Sequence, residues 1–145
     1  MGAVIAAGSM SSMTVSAADP DFHIYLCIGQ SNMEGNAQIE PIDRQNVPEN
    51  FLVMSAVDYN NPKRLKGEWY QAVPPLVREN TGLTPMDYFG RTMLANLPEG
   101  HRVGVVPVAI GGCKIEHLDK DFDASTLANE ADWFKSFMQA YDNAT

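Results

Sequence analysis

The stretch "FHIYLCIGQSNMEG", residues 22–35, decides how the rest of the chain is read. Phe22, Ile24, Leu26 and Ile28 alternate with His23, Tyr25 and Cys27, and the run stops at Gly29. Apolar side chains at every second position suit a half-buried β-strand, because successive side chains point to opposite faces. Ser31 follows where the strand ends. Ligands of open α/β sheets bind outside the carboxyl ends of the strands, so a serine here is either a nucleophile or half of a turn-forming Ser-Asn pair.

Two further runs read as strands: "FLVMSAV" at residues 51–57 and "RVGVVPVAIGG" at 102–112. Pro107 has no N–H to donate, so the second is expected to be an edge strand or irregular at that point. "TPMDYFGRTMLANLPEG", residues 84–100, reads as a helix with Thr84 as N-cap, Pro85 first inside and Asp87 in the first turn. Met86, Phe89, Met93, Leu94 and Leu97 recur at helical spacing. A second helix is expected over 130–141, with Trp133, Phe137 and Tyr141 on one face. Residues 60–82, ahead of the first helix, form a long, proline-bearing polar segment, a length more often functional than idle. Alternating strands and helices imply a mostly parallel sheet. With only three strand candidates where about five are usual, the chain is expected to stop partway through its domain.

The chain has 145 residues, 45% of them hydrophobic, which suits one folded domain. A formal net charge of -8 argues against a nucleic-acid partner, which needs a basic face. No apolar run approaches the roughly 20 residues that span a bilayer, so no membrane association is expected. Residues 1–18 read as a leader remnant or an added segment, and 19–145 as the folding part. Val15-Ser16-Ala17 resembles a signal-peptidase site, so a secreted or periplasmic location is expected, although the positive start of a leader is absent. Cys27 and Cys113 are the only cysteines and do not demand a disulfide. Cys113 with His117 is the nearest approach to a metal-ligand pair, and no second pair accompanies it, so no metal is expected.

The chemistry centres on the two glycine-flanked strand ends, "GQSNMEG" and "GGCKIEH". The Ser31 N–H and that of a nearby glycine can face a developing oxyanion, with Gln30 and Asn32 as neutral donors. Met33 stands where a G-x-S-x-G elbow would have its second glycine. Glu34 reads either as a group orienting substrate or a neighbour, or as a solvated loop acid. Trp69 and Tyr70 either stack on a flat ligand face or anchor the long segment. His23 reads as structural, and His101 and His117 as solvated.

"GQSNMEG", "GEWYQAVPPL", "GLTPMDYFGR" and "VAIGGCKIE" together resemble the first half of the sialate O-acetylesterase and acetylxylan esterase domain, carbohydrate esterase family six of the SGNH-hydrolase superfamily. The resemblance implies a flavodoxin-like three-layer α/β/α fold and removal of acetyl groups from carbohydrate without a cofactor. It implies that Ser31 is the nucleophile and that Gly112, or else Gly111, joins Ser31 in the oxyanion hole. Gln30, Asn32, Glu34 and Trp69 are the candidate substrate contacts. The family's later Gln-Gly-Glu-Ser-Asn block and its Asp-x-x-His motif do not occur in these 145 residues. A serine needs an adjacent base, so the expected reading is a nucleophile whose histidine comes from a missing half or a second chain. A non-catalytic carbohydrate-binding remnant and a phosphate or flavin module are the alternatives. The absence of Lys or Arg near Glu34 in sequence speaks against the last.

Overall fold

The computed structural model describes residues 19–118. The helix expected over 130–141 and residues 1–18 lie outside them. In chain order the elements are strand β1 (Phe22–Gly29), the short helix α1 (Ser31–Glu34), a 3-10 turn (Pro41–Arg44) and strands β2 (Phe51–Met54), β3 (Tyr59–Asn60), β4 (Lys63–Arg64) and β5 (Trp69–Gln71). Helix α2 (Pro85–Ala95), strand β6 (Arg102–Ala109) and a second 3-10 turn (Ile115–Leu118) complete the set.

Four strands form the main sheet in the order β1-β6-β2-β5, with β3 and β4 as a separate small hairpin. β6 runs parallel to both β1 and β2, whereas β5 runs antiparallel to β2. This is an α/β fold with a mixed, mostly parallel central sheet, in keeping with part of a three-layer α/β/α architecture. Pairing of Phe22 with Arg102 through Gly29 with Ala109 brings the carboxyl ends of β1 and β6 level. Both glycine-flanked turns therefore leave the sheet side by side.

β6 is central rather than an edge among the described strands, contrary to the expectation from Pro107. The backbone parity explains how the proline is tolerated. Arg102 N–H donates towards β1, to Asp21 O, and Val103 N–H towards β2, to Asn50 O. Odd residues of β6 thus face β2, whose last partner is Val105. Pro107 lacks its N–H on the side where β2 has already ended, so no ladder bond is lost.

Helix α2 begins as its sequence requires. Thr84 Oγ1 accepts from Met86 N–H at 3.0 Å, and Thr84 N–H donates to Asp87 Oδ2 at 2.8 Å, satisfying two groups that a helix end leaves open. Its inner side packs on the odd-numbered face of the sheet, where Phe51, Val53, Leu76, Met86, Val103 and Val105 are fully buried. The turn from α2 into β6, through Pro98, Glu99 and Gly100, is exposed and lies at the amino end of the sheet. On the opposite face Ile24 and Leu26 are 55% and 54% exposed, and nothing among the described residues covers them.

The long segment is ordered by a buried cation. Arg64 donates to Tyr59 Oη at 2.8 Å and to the carbonyls of Pro75 at 3.0 Å and Val73 at 2.6 Å. Its guanidinium also lies over the Tyr59 and Tyr70 rings. Hydrogen bonds to neutral oxygens and aromatic faces let it stay inside without a carboxylate.

Candidate active site

Ser31 opens α1 directly after β1. As the first residue of a helical turn, it has an N–H without an intrahelical acceptor. Its carbonyl is held by Gly35 N–H at 3.1 Å and by Asn36 Nδ2 at 2.9 Å. Across from it, the chain leaving β6 makes a tight turn in which Cys113 N–H donates to Ile110 O at 3.1 Å. Gly112 takes φ +83° there, the value a type II turn requires at its third residue and one that a side chain resists.

The two turns meet at Gly111. A Cβ added there would stand 3.9 Å from Ser31 Cβ and 3.1 Å from Glu34 Oε2. Glu34 is buried, and both its carboxylate oxygens are engaged: Oε1 receives Arg78 Nε–H at 2.6 Å, and Oε2 receives Gly111 N–H at 2.9 Å. This changes the reading of three residues. Glu34 is not presented to a substrate. Gly111 has spent its N–H on Glu34, so of the two glycines only Gly112 keeps a backbone donor for a ligand. Arg78, 44 residues away in sequence, is the cation that sequence proximity missed.

Trp69 also departs from expectation. Its ring packs edge-on against Phe22 at 5.0 Å, and its outer atoms cover Gly104, where any Cβ would clash at 2.7 Å. Phe22 precedes Gly29 by seven residues of strand, about 23 Å at roughly 3.3 Å per residue. Trp69 is therefore an anchor at the far end of the sheet. Tyr70 serves the same segment, accepting from Leu65 N–H at 2.8 Å.

Gln30 and Asn32 are exposed beside Ser31. Asn32 and Asn36, with Ala37, Leu83, Thr84 and Pro85, line an open cleft of about 400 Å³. A second, apolar groove of about 330 Å³ lies between β1 and α2, bounded by Cys27, Ile28, Met33 and Met86 among others.

The histidines are dispersed. His23 Nε2 and His101 Nδ1 share a hydrogen bond at 2.9 Å with their rings stacked, and His101 Nε2 lies 3.6 Å from Asp21 Oδ1. His101 is thus partnered rather than solvated. The pair sits at the amino end of β1 and β6, a strand length from Ser31. His117 lies in the 3-10 turn after the glycines, where its Nδ1 accepts from Lys114 N–H at 3.2 Å. Cys27 and Cys113 are free thiols, and burial raises the pKa of each. Among the described residues no three His, Cys, Asp or Glu side chains gather to hold a metal ion.

The family profile described as carbohydrate esterase, sialic acid-specific acetylesterase, matches residues 21–145. The chain belongs to this family. A solved structure from Arabidopsis thaliana, determined at 1.6 Å, resembles the chain with a TM-score of 0.50 and 18% identity. The match covers 87% of this chain and 52% of that one, so the chain spans about half its length. A likeness at this identity speaks to the fold, and both are α/β proteins of similar build.

Proposed function

We propose that the chain carries the nucleophilic half of a serine O-acetylesterase acting on acetylated carbohydrate. The observation that bears most weight is the meeting of the two turns, with Ser31 Cβ 3.9 Å from a Cβ placed on Gly111. In this reading Ser31 Oγ attacks the acetyl carbonyl carbon while its proton passes to a base. The carbonyl electron pair moves onto oxygen, which the N–H groups of Ser31 and Gly112 receive. Collapse expels the sugar oxygen, which takes the proton back, and water then releases acetate by the same two steps in reverse roles. The base is an imidazole from outside these 145 residues, in a further part of the protein or a second chain. The cleft lined by Asn32 and Asn36 is of a size for one or two sugar rings, and its amides suit hydroxyl groups.

The test is acetate release from an acetylated oligosaccharide by the full-length protein. Ser31→Ala is expected to lower kcat by at least about a thousandfold, the usual scale for losing such a nucleophile. An unchanged rate in that variant refutes the assignment.

A further inference from the structure

The Glu34–Arg78 ion pair stands behind the two turns of the candidate site, with its carboxylate buried and its guanidinium partly exposed. Glu34 belongs to the same helical turn as Ser31, and its Oε2 holds the N–H of Gly111 at 2.9 Å. Its Oε1 is fixed by Arg78 at 2.6 Å, and Arg78 follows Leu76 and Val77, both sunk in the core. The carboxylate is therefore braced from the interior on one side and grips the glycine turn on the other. The Glu34 side chain is 6% exposed against 40% for Arg78, so water screens the cation more than the acid.

What Glu34 grips is the softest point of the site. In a turn closed from Ile110 to Cys113, the two central residues are both glycines. With no side chain on either residue, the turn has nothing of its own to pack it against α1, and the Glu34 carboxylate supplies that contact through the Ile110–Gly111 peptide. Gly112 stands in it at φ +83°.

We propose that Glu34, braced by Arg78, is a positioning residue that ties the Gly111–Gly112 turn to the helical turn of Ser31 and so fixes where the Gly112 N–H stands relative to the serine. It acts through the Gly111 amide and touches no reacting atom. This rests on Ser31 being the nucleophile, as proposed above. An oxyanion donor lost outright costs about a hundredfold to a thousandfold in kcat. A donor merely misdirected for part of the time costs less, and a misplacement of about 1 Å is worth up to about a hundredfold.

The experiment uses the full-length protein. Glu34→Gln removes the charge and turns an amide donor towards one of two existing donors. We expect kcat to fall about tenfold to a hundredfold, with KM within about twofold and the fold intact by circular dichroism. Arg78→Met is expected to behave alike, and Arg78→Lys, which keeps a cation, to recover a large share of the loss. Amide NMR supplies a readout independent of turnover. In Glu34→Gln the Gly111 and Gly112 resonances should shift and broaden, whereas in Ser31→Ala the Gly111 amide should stay near its parental position. Parental kcat in Glu34→Gln, a loss confined to KM, or unmoved glycine amides overturns the positioning role. Full activity in Ser31→Ala, with the Gly111 amide still responding to Glu34→Gln, overturns the nucleophile assignment and leaves the tether standing.

Discussion

Gly90 in α2 faces the ring of Phe51 so closely that an added Cβ would lie 1.9 Å from Cε2. Alanine is favoured over glycine in a helix by about 1 kcal/mol. Overpacking against a fully buried ring costs about 1–3 kcal/mol, and Phe51, at 0% exposed, has no room to swing aside. Packing therefore wins. Gly90→Ala is expected to lower the melting temperature by several degrees, the shift that about 1–2 kcal/mol produces in a domain of this size, and an equal or higher melting temperature refutes it. At this scale the place of Ser31 at a strand end was legible because it is written in local alternation. Glu34 was not. A carboxylate beside Met33 and Gly35 reads as an orienting group or as a loop acid until Arg78 arrives from 44 residues away, and no local pattern announces that approach. A physical signal did exist: an acid following an apolar strand in a tight turn must find a cation if it is buried. Trp69 misled for the opposite reason, since an aromatic in a polar segment serves a cleft and a core equally well.

Helix α2 was legible at its start, which is fixed by side chains adjacent in sequence, Thr84, Pro85 and Asp87, whereas it ends at Ala95, two residues short of the Leu97 that the spacing included. Strand β5 escaped notice, for three residues inside a long polar segment give alternation no length to show itself. The 3-10 turn Pro41–Arg44 is joined to α2 by a bond the sequence does not advertise: Tyr88 Oη donates to Asp43 Oδ1 at 2.6 Å. Asp43 also accepts from Glu40 N–H at 2.7 Å, and its carbonyl accepts from Arg91. The Tyr88 hydrogen bond, then that from the Glu40 amide, hold the Asp43 carboxyl below the ordinary value of 3.8. A carboxylate with a lowered folded pKa contributes stability present above its unfolded value and lost as pH falls through the folded one. Tyr88→Phe is therefore expected to melt below the parent at pH 7, with the gap closing as pH drops under about 4. A gap independent of pH rules out this linkage. The carboxylate of Asp19, lowered by the Asp21 amide and by Arg102, is common to both proteins and cancels in the comparison.

The sheet is closed on one face, whereas on the other the row along β1 stands open among the described residues. Ile24, Leu26 and Ile28, exposed by 55%, 54% and 37%, form an apolar row along β1, the outermost strand of its sheet. Contiguous apolar surface beside an open strand edge favours association. The 145-residue chain on its own is expected to grow in apparent mass with concentration in light scattering, and Leu26→Lys to reduce that growth. A parent that stays monodisperse at high concentration contradicts it. The general architecture was readable in advance because the parallel sheet follows from alternating runs, but its strand order depends on contacts between distant segments. One consequence reaches beyond catalysis. The turn at Glu99 and Gly100 lies level with the start of β1, with open space around Gly100, so it occupies the pole opposite Ser31. A dye, bead or affinity handle grafted there would hold the molecule by its back and leave the serine facing outward for inspection.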